Sequence, residues 1–208
     1  MVRPRTQLSS RRKLVLSAAL LLLAVGVVAM GAYATFTGSA SVLQTISSGT
    51  VTIALGATGA STNRLNVNAT GIAPGDTIQR SVDLSNTGSL DLSAVTLTTA
   101  ASPTSLLDSD GTNGLQMVID RCASAWTESG TTPAFTYACS GGSTNLVASR
   151  AVIGSNVSLP GLSALTSGGT DHLLVTLTLP PAAGNTFQGL SSTISYTFTG
   201  TQRAATNK

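Results

Sequence analysis

Residues 173–179 read Leu-Leu-Val-Thr-Leu-Thr-Leu, and the period of that stretch decides the fold class. Leu173, Val175, Leu177 and Leu179 recur at every second position, opposed mainly by Thr176 and Thr178. A period of two puts alternate side chains on opposite faces of an extended strand, one apolar and one wet. Threonine suits the wet face because its branched Cβ fits a pleated surface. The alternation continues outward in both directions. Ile194, Tyr196 and Phe198 alternate with Thr193, Ser195, Thr197 and Thr199, and Val51, Ile53 and Leu55 with Thr50, Thr52 and Ala54. Less regular runs predict strands over 64–69, 77–85, 92–99, 115–120, 134–138 and 145–153. Beyond residue 34 no segment carries a helical stripe, although Leu162 to Leu165 allow one short helical turn.

Turn chemistry separates these runs. Pro74-Gly75-Asp76 places Pro where φ must be fixed and Gly where φ must be positive. Asn86-Thr87-Gly88-Ser89 lies between two alternating runs, as a hairpin connection would. Many short strands with such turns predict an all-β antiparallel sandwich, jelly-roll-like or immunoglobulin-like, in a single domain. Arg80 falls in phase with Ile78, Val82 and Leu84, which should point inward. Either a bulge resets the phase there or the strand lies at a sheet edge.

Composition excludes other classes. Charged residues make up only 9% of the 208, too few for a cationic nucleic-acid surface or a Glu/Lys-rich coiled coil. Five of the 11 basic residues (Arg3, Arg5, Arg11, Arg12 and Lys13) precede an uncharged apolar run from Leu14 to Met30. The remaining six face eight acidic residues, so the basic character belongs to the N-terminus. A basic start, an apolar run and the small residues Ala32 and Ala34 form a secretory signal, with cleavage expected between Ala34 and Thr35. The alternative is an uncleaved anchor, since the run approaches a membrane-spanning length. Ser10-Arg11-Arg12 also fits a twin-arginine signal, but the very apolar run favours ordinary secretion. The membrane is then touched only through this signal segment. Thr199 to Lys208 carries no apolar run that would serve as a second anchor.

Cys122 and Cys139 are the chain's two cysteines, and in an exported protein they read as one disulfide. Zinc would need ligands beyond this pair. His172 is the single histidine and no H-E-x-x-H motif is present, so a catalytic zinc site finds no support. A Ser-His-Asp triad would also need His172, and no G-x-S-x-G elbow occurs. Seven Asp and one Glu are scattered without a distinctive pair. Asp108-Ser109-Asp110-Gly111 resembles the start of a calcium loop, but position six is Asn113 and position twelve Ile119, so an Asp/Gly turn is the simpler reading. Trp126 lies inside the cysteine loop and is expected to pack against the disulfide. No cofactor is expected.

The stretch from Ala73 to Thr99, APGDTIQRSVDLSNTGSLDLSAVTLTT, closely resembles the TasA/camelysin family of exported bacterial matrix proteins. There, a PGD turn, a strand ending in N-x-G and an L-D segment follow in this order. Asn185-Thr186-Phe187-Gln188-Gly189 leading to Tyr196-Thr197-Phe198 is similar to that family's final-strand pattern. GAYATFTGSAS (31–41) resembles signals cut by a SipW-type signal peptidase, which the resemblance makes a partner during export. The region between Cys122 and Cys139 departs from the family pattern, as does the scarcity of Lys and Glu.

The resemblance implies an extracellular jelly-roll protein that polymerises into biofilm-matrix fibres by donating its N-terminal segment as a strand to the next subunit. Residues 35–48 fit such a donor, with Phe36, Val42, Leu43 and Ile46 as its apolar side chains. They also fit a leader that is unstructured or pairs within its own domain. The expected organisation is a signal over 1–34, the extension over 35–48, a sandwich over 49–200 and a polar tail over 201–208. Expected partners are the chain itself and accessory matrix proteins, with no nucleic acid. The alternatives are an anchored monomeric cell-surface binding domain and, from the camelysin name, a metallopeptidase.

Overall fold

The computed structural model describes residues 47–206, together with the isolated positions 15 and 44. The chain divides into two compact units, Met1–Ile46 and Ser47–Lys208. The expected cleavage residues Ala32, Ala34 and Thr35 lie outside the described residues, as do Phe36, Val42, Leu43 and Ile46.

The second unit is an antiparallel β-sandwich built from β1 (Ile53–Leu55), β2 (Thr77–Asn86), β3 (Leu92–Ala101), β4 (Gln116–Cys122), β5 (Thr127–Thr131), β6 (Ala134–Ala138), β7 (Ser143–Ala151), β8 (Gly154–Ser158), β9 (Thr170–Thr178) and β10 (Ile194–Gln202). One four-residue helix, α1 (Leu106–Ser109), joins β3 to β4. The pairings nest: β2 with β9, β3 with β8, β4 with β7, β5 with β6. Eight strands folded as one long hairpin and then wrapped give this order, which is the jelly-roll plan. β4 also pairs with β9, giving a five-stranded sheet β1-β2-β9-β4-β7. It faces a three-stranded sheet β10-β3-β8.

The alternating runs become the inner faces. Leu173 and Val175 on β9, Met117 and Ile119 on β4, Val82 and Leu84 on β2, and Leu97 on β3 are at most 1% exposed. Each such side chain stabilises the fold by about 1.5–3 kcal/mol through burial. Gly75 has φ +93°, and Asp76 N–H donates to Ala73 O at 2.9 Å, so the predicted Pro-Gly turn forms as read.

Three expectations are corrected. Residues 64–69 form a loop instead of a strand: only Asn63 bridges to Val82, and Arg64 N–H donates to Ser81 O. Asn66, Asn68 and Gly71 make this segment a poor strand former. Asn86 to Ser89 is not a hairpin, because β2 and β3 belong to different sheets. The fully buried Asn86 folds the crossover, its Nδ2 donating to Leu90 O and its Oδ1 accepting from Gly88 N–H, both at 3.0 Å. The first alternating run pairs only over Ile53–Leu55, not from residue 50. The helical turn expected at 162–165 is present as a 3-10 turn over Ser163–Leu165.

Arg80 needs no bulge, since β2 and β9 pair in unbroken register through it. β1 covers β2 only at Leu84–Asn86, so near Arg80 one side of the strand has no strand partner among the described residues. The edge reading therefore holds for that half of β2. The Arg80 side chain closes the edge by donating from Nε to Val67 O at 2.9 Å and from Nη1 to Gln79 O at 2.7 Å.

Candidate functional site

The two sheets have unequal widths, and β10 forms one edge of the narrower one. That strand pairs with β3 from Ile194 to Thr201 without a register break, and its other edge meets no strand among the described residues. Ile194, Tyr196 and Phe198 point toward the core yet remain only half-buried. The outward positions Ser195, Thr197 and Thr199 are exposed and uncharged. An unpaired edge presents free N–H and C=O groups to any strand that approaches. The core continues under β10 up to a glycine: a Cβ at Gly200 would sit 2.5 Å from Ile53 Cδ1, so a side chain there would displace the end of Ile53.

Behind the start of β10 lies a cavity of about 640 Å³. Its walls come from the 65–72 loop, from Ile78 and Leu177 on the five-stranded sheet, and from the 187–196 segment. The lining is apolar and polar in about equal parts, with Arg80 as its one charged side chain. Burial pushes the Tyr196 hydroxyl well above the usual tyrosine range. Burial likewise holds the Arg80 guanidinium below its ordinary value.

A polar latch closes one lip of this cavity. Ser105 caps α1, accepting Leu107 N–H, while the Asp108 carboxylate accepts Ser105 N–H at 2.7 Å in a reciprocal capping box. Asp108 also accepts from Thr104 Oγ1 and Ser192 Oγ, each at 2.5 Å. The last contact pins the segment that enters β10. Burial alone would raise the Asp108 pKa, but the bonds from Ser192, Thr104 and Ser105 outweigh it and hold the carboxyl below its usual range.

The calcium reading of Asp108 to Asp110 does not match this geometry. Asp108 is turned into the latch, and Asp110 accepts Thr112 and Asn113 N–H at 2.9 Å, which makes an ordinary turn. Cys122 and Cys139 are bonded, with Cα atoms 5.7 Å apart. The hairpin β5–β6 within that loop packs against β2. There, Arg64 makes a two-pronged ion pair with Glu128 at 2.6 and 2.8 Å, and Tyr137 donates to Glu128 at 2.8 Å. The paired Arg64 holds the Glu128 carboxyl below its usual range. Trp126 also anchors this hairpin, donating from Nε1 to His172 O at 3.0 Å.

His172 Nδ1 bonds Asp83 Oδ1 at 2.7 Å across neighbouring strands. Its neighbour Asp171 is spent on Ser163 and Ala164 N–H, at 2.9 and 2.7 Å, where it caps the 3-10 turn. The sequence raised Asp108 only as part of a calcium-like loop, and it did not single out Arg80, Ser192 or Tyr196 as site residues. The one available signal was Arg80's position in an apolar phase.

The family described as camelysin metallo-endopeptidase matches residues 9–121, more than half of the chain. The match ends inside β4, one residue before Cys122, so the disulfide-closed hairpin falls outside it. No curated protein matches the chain.

Proposed function

This chain belongs to the camelysin metallo-endopeptidase family, and we propose that it acts as a secreted structural subunit that self-assembles into extracellular, biofilm-matrix-type fibres. The observation that carries the proposal is the edge of β10: eight residues in unbroken register with β3, uncharged, with no strand partner on the other side among the described residues. Natural sandwiches blunt such edges with charge, Pro or bulges, and an edge left regular suits strand addition. The donor is residues 35–48 of a neighbouring subunit, freed by cleavage after Ala34. In an extended conformation Phe36, Val42 and Ile46 share one face and Leu43 takes the other. An apolar face of that kind continues the row of Ile194, Tyr196 and Phe198.

The family's descriptive name implies a catalytic zinc, which takes three protein ligands and a water. The residues here do not fit one. Among the described residues, which include every His, Cys, Asp and Glu of the chain, no three such side chains gather. The single histidine is bonded to Asp83, and both cysteines are in the disulfide.

Electron microscopy of purified residues 35–208, beside a version lacking 35–48, tests the proposal. Filaments from the longer protein alone are the expected result. Filaments from both would keep the matrix role but move the contact elsewhere. Monodisperse particles from both would overturn self-assembly and leave a surface binding domain as the reading.

A further inference from the structure

The cavity behind β10 contains a charge that its surroundings do not balance. Two guanidiniums, Arg64 and Arg80, lie 4.5 and 5.8 Å from the Phe135 ring centroid. One carboxylate, Glu128, stands near them, and both its oxygens are taken by Arg64. Arg80 is 5% exposed and forms no ion pair among the described residues. Its hydrogen bonds go to the main-chain oxygens of Val67, Gln79 and, at 3.5 Å, Asn68. A guanidinium has five N–H donors, so two are left over. A buried cation without a counter-charge is costly, and an oxyanion that accepts those donors repays the cost. The Tyr196 hydroxyl, also in the cavity wall, makes no hydrogen bond among the described residues and adds a donor. Part of the remaining lining is apolar: Leu65, Ile72, Ile78, Leu177 and Phe187 offer a surface for a hydrocarbon, beside the polar Asn66, Asn68, Thr70 and Ser192.

We propose that this cavity is a binding site for a single-chain amphiphile with an anionic head, the head on Arg80 and the chain among the apolar side chains. The volume of about 640 Å³ exceeds that of a twelve-carbon chain, and sites of roughly 300–1,000 Å³ are typical for small ligands. Charge complementarity selects the occupant: a cationic or neutral head would leave Arg80 unpaired. The proposal goes beyond assembly and does not need it, because the cavity lies behind β10 and the assembly reading uses that strand's outer edge.

Isothermal titration of the processed chain, as secreted by an expressing host, with laurate, dodecanol and dodecylammonium below their micelle concentrations is the test. Laurate should bind at least about tenfold more tightly than dodecanol, the effect of a charge-assisted hydrogen bond, and dodecylammonium more weakly still. Arg80→Gln should bring laurate down to the level of dodecanol. The three-ligand comparison on the unaltered protein stands even where that variant fails to fold. Equal binding of laurate and dodecylammonium, or no binding of laurate, would overturn the site. Filament formation is scored separately, so loss of one reading leaves the other standing.

Discussion

β7 closes the five-stranded sheet and β10 the three-stranded one, and the two edges differ in kind. β7 meets β4 with two register shifts, and along it lie Asn145, bonded to Asp120 at 2.9 Å, and the charged Arg150. Bulges and charge are the devices that keep an edge from pairing with another chain. β10 has a register shift only at its far end, between Thr201 and Gln202, and carries no charge. Packing differs in the same sense. Leu97, on β3 between the sheets, is fully buried, while Ile194 on β10 is half-buried beside the cavity. One edge carries bulges and a charge, and the other is regular with a cavity behind it.

Introducing charge on each edge tests that contrast most directly. Thr197→Lys on β10 should abolish filaments by electron microscopy and pelleting, whereas Ala148→Lys on β7 should leave them intact; both positions are exposed, so neither change disturbs the core. Equal effects of the two lysines would erase the distinction. The packing contrast is next in size. Leu97→Ala should lower unfolding free energy by about 3–4 kcal/mol, and Ile194→Ala by about 1–2 kcal/mol because its site is already partly solvated. Urea titration of both variants reads the difference, and similar losses would mean that the β10 half is packed as tightly as the centre.

Replacing both Cys122 and Cys139 by Ala should cost about 3 kcal/mol, as expected for opening a loop of that size, and should leave filaments unchanged. The hairpin it secures packs on β2 and belongs to neither edge. Loss of filaments in this variant would place the hairpin in the assembly contact.

The smallest effect concerns the latch at the cavity lip. Asp108 has a folded-state pKa below its ordinary value of 3.8, so the stability it contributes is present above that value and is lost as pH falls through the lower, folded one. Glu128 adds a loss of the same sign, through its pairing with Arg64. Asp108→Asn should therefore flatten the fall of the urea midpoint on the acid side of about pH 4 without removing it. An unchanged acid limb would show that the latch carries no such linkage.

The residues themselves show why some of this was legible and some was not. A period of two is a local property, and it identified the cores of β2, β3, β4, β6, β7, β9 and β10. β5 (Thr-Glu-Ser-Gly-Thr) and β8 (Gly-Ser-Asn-Val-Ser) carry too little apolar alternation to be read, and pairing alone holds them extended. The four-residue α1 depends on the Ser105–Asp108 capping box more than on any stripe. The family resemblance over 73–99 was legible because turn and strand chemistry stand close together in sequence.

By itself, then, the sequence determined the strand periodicity, the Pro-Gly turn, the two cysteines as the available pair and the family. Each of these depends on neighbours in the chain or on residue counts. Tertiary structure alone decided that Asn86–Ser89 crosses between sheets, that Arg80 sits without a carboxylate in a cavity wall, that Asp108 meets Ser192, and that β10 keeps an open edge. Each of those joins groups far apart in sequence, such as the 84 positions between Asp108 and Ser192. A local period specifies which face of a strand is apolar. It does not specify which strand lies beside it, and the partners of edges and buried charges follow from that choice.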